Sequence, residues 1–297
     1  MQKRSKRKQS WSEKMFDIVN MTILIAFSFL CFYPIWFFII NSISEPRAIA
    51  QGIYLLPKSL TLYNYETLFD EVDNLFPALK VSILRTIAGT LITGACCSFV
   101  AYLVTQKDMP CRRLFYRFIV ITMYINAGLI PWFITMKMLH LNNKFTLYII
   151  PSAVSAFFVI LLKTYFESVP DELQESAEID GAGIITVFWK IVLPLSKPVL
   201  ASVAVFSAVN QWNSWYDNFM LVSKDKLQTV QYLLYLYLTK NTAMTGNTVA
   251  SSIAAMKTSP TSIRITITMV TMIPIIIVYP AMQKYFVKGI MLGAVKG

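Results

Sequence analysis

Charge is scarce in this chain of 297 residues: Asp, Glu, Lys and Arg together make up 14% of it. A soluble globular domain carries about 25%. Histidine is scarcer still, with His140 alone in a polar connection, and one imidazole without neighbouring thiols or carboxylates builds neither a metal site nor a catalytic pair. Cys31, Cys96, Cys97 and Cys111 lie in or beside apolar segments without framework or ligand spacing, which argues against a disulfide scaffold or a zinc site. They read as thiols buried among apolar side chains. No GxxxxGK[ST] run is present to cradle phosphates, and no HExxH or GxSxG arrangement suggests hydrolysis. Enzymatic activity, a bound cofactor and a metal are therefore not expected in this chain. The formal charge of +11 is not gathered into an aromatic-interleaved basic domain, so nucleic acid is not expected as a partner.

Apolar residues are abundant instead, at 56% of the chain with a mean hydropathy of +0.54. A bilayer core needs about 20 mostly apolar residues per spanning helix. Six stretches meet that length, at about Phe16–Ile40, Val81–Val104, Leu114–Met136, Thr146–Phe166, Val199–Val222 and Ser262–Phe286. The expected fold class is an all-α integral membrane protein with six transmembrane helices. The first stretch is too long for a signal peptide and lacks a small-x-small cleavage site, so it reads as retained. Tyr124, Asn126, Gly128 and Pro131 interrupt the third, with a kink expected at Pro131, and Pro274 and Pro280 are expected to bend the sixth. Arg85 near the outer end of the second span is expected to snorkel to headgroups. The tract Leu227–Leu238 reads as a re-entrant or surface helix, too short for a seventh span.

Lys and Arg cluster at the amino terminus (Lys3 to Lys14), between the second and third spans (Lys107 to Arg117), around the fourth-to-fifth connection (Lys163, Lys190, Lys197) and at the end (Lys284, Lys288, Lys296). Positive flanks tend to stay cytoplasmic, so both termini and that connection are placed inside, with attraction to anionic lipid on the same side. The organisation expected is a basic segment 1–15, a membrane domain 16–288 and a cytoplasmic tail 289–297. The long connections Asn41–Lys80 and Ser223–Thr261, with acidic Asp70, Glu71 and Asp73 in the first, fall outside.

The most patterned polar segment is ESAEIDGAGIITVFWKIVLPLSKP, Glu175–Pro198, within a loop 168–198. Acidic residues in its first turns, Gly181 and Gly183 at its middle and Pro194 near its end predict two short helices joined by a sharp bend. Leu173 and Ala177, four apart, give the first helix a small apolar ridge with acidic flanks. Residues alone leave two readings open, a hairpin that docks on a partner and one that lies on lipid headgroups. Asn210, Gln211, Trp212, Asn213, Ser214, Trp215, Tyr216, Asp217 and Asn218 form a polar and aromatic block on the fifth span, with Asn210, Trp212, Asn213, Trp215 and Tyr216 as its candidate pathway residues. Indoles that stack and amides that donate and accept suit a sugar in a cavity, and the same residues suit an interfacial aromatic belt.

Glu175, Ser176, Ala177, Asp180, Gly181, Ala182, Ile191, Leu193, Pro194, Lys197 and Pro198 resemble the EAA coupling loop of ABC-importer permease subunits of the carbohydrate-uptake branch, with Ser176 in place of the usual alanine. The QKYFVKG run from Gln283 and the final Gly293, Ala294, Val295, Lys296 and Gly297 are similar to the tail of the maltose-transporter G subunit and its relatives. GLIP at Gly128–Pro131 and NQWNSW at Asn210–Trp215 resemble the permeases of complex oligosaccharides. The resemblance implies a type I importer permease in a bacterial plasma membrane, paired with a second homologous permease subunit. It further implies two ATPase subunits that hold the ATP and magnesium, and an extracellular solute-binding protein. It assigns the ATPase contact to the coupling loop, with Glu175 pairing a basic residue and Gly181 letting the two helices pack closely, and to the tail 293–297. As a bare chain end that tail reads instead as a frayed terminus. Two other classes stay open: an importer of a non-sugar solute, and a secondary transporter, for which Asp17 and Asp217 near span ends are the intramembrane carboxylates.

Overall fold

The computed structural model describes residues 10–240 and 260–294. The chain divides into two compact units. The first contains α1 (Trp11–Ser42), α2 (Pro46–Ala50), α3 (Tyr63–Glu71) and the stretch ending at Met269. At the start of α1 the side chain of Glu13 accepts the Ser10 backbone N–H at 2.8 Å, which satisfies one donor that a helix start leaves open. Most of α1 is apolar and exposed, as a helix facing lipid or another subunit requires. Its end is tied down: Ile40, Ile49, Ile53 and Ile265 pack together, and Asn64 Nδ2 donates to the carbonyls of Ser42 and Ser44 at 2.9 and 2.6 Å.

The second unit is built around α4 (Leu75–Thr105). Ala78, Ser82, Arg85, Gly89, Thr93, Cys97 and Ala101 recur every three or four residues and form its buried stripe. Small side chains there admit neighbouring backbones closely, which is how helices associate where lipid is as apolar as leucine. Against α4 pack α7 (Ala156–Phe166) and α10 (Lys197–Asn213). The remaining elements are α5 (Arg112–Tyr124), α6 (Leu129–Met138), two 3-10 turns from Phe145 to Ser152, α8 (Asp171–Ile179), α9 (Ile184–Leu195), α11 (Tyr216–Leu221) and α12 (Val230–Lys240). The final helix, α13 (Pro260–Ala294), contributes to both units and runs on through Pro274 and Pro280. Among the described residues the one strand-like pairing is the isolated bridge between Ser44 and Leu60.

The all-helical membrane architecture is as the sequence predicts, but the spans are less regular. Three helices are long and apolar enough to cross a bilayer singly: α1, α4 and the Thr261–Pro280 part of α13. Three bent pairs supply the rest of the apolar length, at 120° between α5 and α6, 48° between the 3-10 turns and α7, and 82° between α9 and α10. The third stretch does not kink at Pro131. It breaks at Ile125–Gly128, where Gly128 adopts φ +83° and its N–H donates to Asn126 Oδ1 at 2.9 Å, and Pro131 then sits in the first turn of α6, where its missing N–H has no helical partner to lose. The fifth stretch is also interrupted, between Asn213 and Tyr216. The Leu227–Leu238 tract is not a free surface helix: α12 packs on α4 through the fully buried Val230, whose N–H donates to Ser82 Oγ at 2.9 Å.

Burial of the thiols holds for Cys97, which accepts the Ser155 N–H at 3.3 Å, whereas Cys31 and Cys111 are exposed on this chain and Cys96 is intermediate. The reason is position: Cys97 lies on the stripe of α4 that faces α7, and the others lie off any packed face.

The largest core of this unit joins Cys97, Ala101 and Tyr102 of α4 to Val159 and Leu162 of α7, Val203 of α10, and Val187, Phe188 and Val192 of α9. Phe188 is stacked on Tyr102 with centroids 5.0 Å apart and meets Phe99 edge-on at 5.8 Å. Truncation of Phe188 to Ala is expected to lower stability by about 3–5 kcal/mol. Thermal unfolding of the purified protein in detergent checks this, with Phe188→Leu expected to lose less.

Candidate functional site

Two places gather polar side chains. The first is the hairpin of α8 and α9. Asp171 and Glu172 occupy the first turn of α8, where the helix dipole favours negative charge. Asp171 also accepts from Lys107 Nζ at 2.9 Å, joining the hairpin to the α4–α5 connection, and this bond holds the Lys107 ammonium above its ordinary pKa. The helix ends in a Schellman motif: the Ala182 N–H donates to the Ala177 carbonyl and the Gly181 N–H to the Glu178 carbonyl, both at 2.9 Å. Gly181 sits at φ +84°, and a Cβ built there would meet nothing within 4 Å. Its requirement is therefore the left-handed backbone and not, as the sequence suggests, close packing of two helices.

α9 contains a π-helical turn, Phe188–Val192, directly before Leu193–Pro194. Proline lacks the N–H that an α-turn would use and its ring crowds the preceding turn, so a widened turn accommodates it. The turn also brings Val187, Phe188 and Val192 together on the core side, while Trp189 and Lys190 face out. Ala177, Ala182 and Ile191 pack partly against the same core, whereas Glu175, Ser176, Asp180 and Pro194 are exposed. Glu175 and Glu178 line a cleft with Lys107 and Arg112.

Among its exposed polar residues the hairpin also leaves large apolar side chains uncovered. Ile179 is 86% exposed, Ile185 65% and Trp189 61%, with Leu173 and Ile184 beside them in exposure. The sequence reading found Leu173 and missed the three others. The available signal is large apolar residues inside an otherwise polar loop.

The second place is a cavity of about 470 Å³ walled by α4, the turn before α7, and the broken helix α10–α11. Arg85 is 3% exposed and does not snorkel. Its Nε donates to Gln211 Oε1 at 3.0 Å, its Nη1 to the Ser214 carbonyl at 3.1 Å and to Asp217 Oδ1 at 3.0 Å, and its Nη2 pairs with Asp217 Oδ2. The Tyr148 ring lies 4.5 Å from the guanidinium carbon. A buried charge without partners is prohibitive, and an opposite charge on the next helix is a shorter route to stability than a reach to the headgroups.

The predicted aromatic block is divided by this geometry. Asn210 and Tyr216 line the cavity. Trp212 is buried and donates its indole N–H to the Thr271 carbonyl at 3.0 Å, Trp215 stacks on Tyr235 at 4.2 Å, and Asn213 accepts from Gln231 at 3.3 Å. Gln211 lies within the block that the sequence marks, whereas Arg85 and Ser152 are not marked by it for this site, although an Arg and an Asp embedded in two different apolar stretches are a usable sign of pairing. Of the terminal residues, Gly293 and Ala294 end α13, while Val295, Lys296 and Gly297 lie outside the described residues. Among the described residues no cluster of His, Cys, Asp and Glu is arranged to hold a metal ion.

Residues 94–216 match the family described as the binding-protein-dependent transport system inner membrane component. The chain is 32% identical to the polygalacturonan/rhamnogalacturonan transport system permease protein YtcP of Bacillus subtilis, over 96% of this chain and 99% of that protein. It is 27% identical to the arabinooligosaccharides transport system permease protein AraQ of Halalkalibacterium halodurans, over 96% and 99%. A chain in the crystal structure of a bacterial ABC transporter involved in the import of the acidic polysaccharide alginate superposes with a TM-score of 0.86 at 30% identity, covering 95% of this chain and 100% of that one.

Replacing Arg85 by Met strands the Asp217 carboxylate in the cavity wall. The expected loss is about 3–5 kcal/mol of stability. Removing both partners, Arg85→Met with Asp217→Leu, is expected to recover most of it, as read from melting midpoints in detergent.

Proposed function

The chain belongs to the binding-protein-dependent transport system inner membrane components, among the carbohydrate ABC transporter permeases, and from that premise we propose that it is one of two nonidentical permease subunits of an oligosaccharide importer driven through its α8–α9 hairpin. The observation that carries this reading is the exposure of three large apolar side chains, Ile179, Ile185 and Trp189, on a hairpin whose Val187, Phe188 and Val192 are anchored in the chain's own core. Exposed apolar side chains on a hairpin that also carries Asp171, Glu175 and Glu178 suit a groove with an apolar floor and a basic rim. No GxxxxGK[ST] run occurs in the chain, so ATP and magnesium belong to two separate ATPase subunits that offer this groove.

Closure of those ATPases shifts a two-state membrane domain only if the hairpin is contacted differently in the two states. A docked helix whose C-terminal bend is locked by two backbone hydrogen bonds transmits such a difference without yielding. The cavity beside Arg85 and Asp217 is the translocation path, with Asn210 and Tyr216 meeting the sugar and Trp212, Asn213 and Trp215 supporting the wall. In the cell both termini and the hairpin are cytoplasmic, residues 293–297 reach the ATPases, and an extracellular binding protein delivers the sugar to the outer loops. The cargo is a complex oligosaccharide of the kind named for the relatives.

Two measurements on the complete importer in proteoliposomes test this. Oligosaccharides prepared from polygalacturonan, rhamnogalacturonan, alginate and arabinan are compared for uptake and for stimulation of ATP hydrolysis; silence from all four, alongside a response to an amino acid or polyamine, would refute a sugar cargo. Gly181→Pro cannot take φ +84° and lacks the N–H that closes the bend. It is expected to abolish uptake and leave membrane insertion intact; unchanged uptake would sink coupling through this hairpin.

A further inference from the structure

One polar side chain in the cavity wall bonds two of the elements around the site while standing on a third. Gln211, on α10, accepts from Arg85 Nε at 3.0 Å and donates from Nε2 to Ser152 Oγ at 2.6 Å, so that a single amide joins α4, the turn before α7 and the broken helix. Space for it is provided by Gly89: a Cβ there would stand 2.5 Å from Gln211 Nε2 and 2.6 Å from its amide carbon. Gly89 has an ordinary helical backbone, so this glycine is explained by the amide that occupies its place.

The charge that Gln211 orients sits at a helix junction. α10 ends at Asn213 and α11 begins at Tyr216. Arg85 donates to the Ser214 carbonyl at the end of the first helix, where a cation is favoured. Asp217 lies in the first turn of the second, where an anion is favoured, and also accepts the Asn218 N–H at 2.8 Å. The pair therefore closes a break in a spanning helix whose exposed backbone would otherwise lack partners in a low-dielectric site. Asn210 lies just before the break and Tyr216 just after it, and both face the cavity.

We propose that Gln211 is a positioning residue for translocation: through the Gly89 notch it holds the Arg85–Asp217 clamp in register, and the clamp sets the angle at which Asn210 and Tyr216 meet the passing sugar. The proposal rests on the reading of this cavity as the translocation path. It assigns the glutamine no contact of its own with the sugar. A planar side chain with two polar atoms meets this geometry, because one atom accepts from the guanidinium while the other bonds the Ser152 hydroxyl.

The test uses the complete importer with whichever of the four oligosaccharide preparations stimulates the wild type, and reads half-saturating concentration and maximal uptake separately. Gln211→Leu removes both bonds, and Gly89→Val fills the notch while leaving Gln211 chemically intact. Both are expected to raise the half-saturating concentration by about tenfold or more, as loss of a hydrogen bond to a charged group implies, with maximal uptake per assembled complex falling less. Gln211→Glu, which keeps an acceptor for Arg85 and can accept a hydrogen bond from the Ser152 hydroxyl once that hydroxyl turns, is expected to restore the wild-type half-saturating concentration. A half-saturating concentration unchanged in both Gln211→Leu and Gly89→Val would overturn the proposal. If Gln211→Leu fails to assemble, Gly89→Val and Gln211→Glu decide it, and an effect of Gln211→Glu as large as that of Gly89→Val would overturn it. A wild-type importer that responds to no sugar defeats the functional reading instead, and that result is distinguishable because it precedes any variant.

Discussion

Everything in the second unit is arranged around one requirement: a guanidinium inside an apolar protein must be surrounded before the helices can pack. Arg85 meets it with Gln211, the Ser214 carbonyl, both oxygens of Asp217 and the face of Tyr148. Each of these partners belongs to a different segment from Arg85, so satisfying the charge specifies how α4, the turn before α7 and the α10–α11 break come together. Replacement of such a pair by apolar residues is often neutral for stability. Its retention here is better explained by the geometry it imposes on the cavity than by energy alone.

α4 links that cavity to the hairpin. The helix carries Arg85 and Gly89 toward one end of its buried stripe and Tyr102 toward the other, where Tyr102 stacks on Phe188 of α9. The separation of Arg85 and Tyr102 along a straight α-helix is roughly 25 Å. A rigid element thus touches both the cavity wall and the back of the docking hairpin. That is a physical connection between the cavity and the hairpin, and under the proposed function it becomes coupling where the two states differ in these same contacts. The hairpin is suited to one end of such a connection because Val187, Phe188 and Val192 belong to the core while Ile179, Ile185 and Trp189 are left uncovered.

Much of this was legible in advance, for identifiable reasons. Long apolar runs announce spanning helices because a bilayer demands about 20 such residues. Gly181 in an acidic, amphipathic loop announces a bend because few other residues adopt positive φ readily. The breaks were visible as composition but misjudged in place: Pro131 drew attention, while the chain turns at Gly128 because only there does the backbone take φ +83°. The block from Asn210 to Tyr216 was read as one functional patch. On a helix that stops at Asn213, its side chains diverge, so that Trp212 is packed in and Asn210 and Tyr216 look into the cavity.

By itself the sequence determined what is local or additive: a membrane protein of helices, without the motifs of ATP binding or hydrolysis, bearing a bent acidic loop that resembles a coupling loop. Those properties depend on hydropathy summed over a window and on residues a few places apart. Only the tertiary structure decided that Arg85 is buried on Asp217, 132 positions away, that the place of a Cβ at Gly89 is taken by Gln211, and that Ile179, Ile185 and Trp189 are each left uncovered. Partner choice for a buried charge and the exposure of an apolar side chain depend on how helices distant in sequence are packed, and periodicity along one helix carries no record of that.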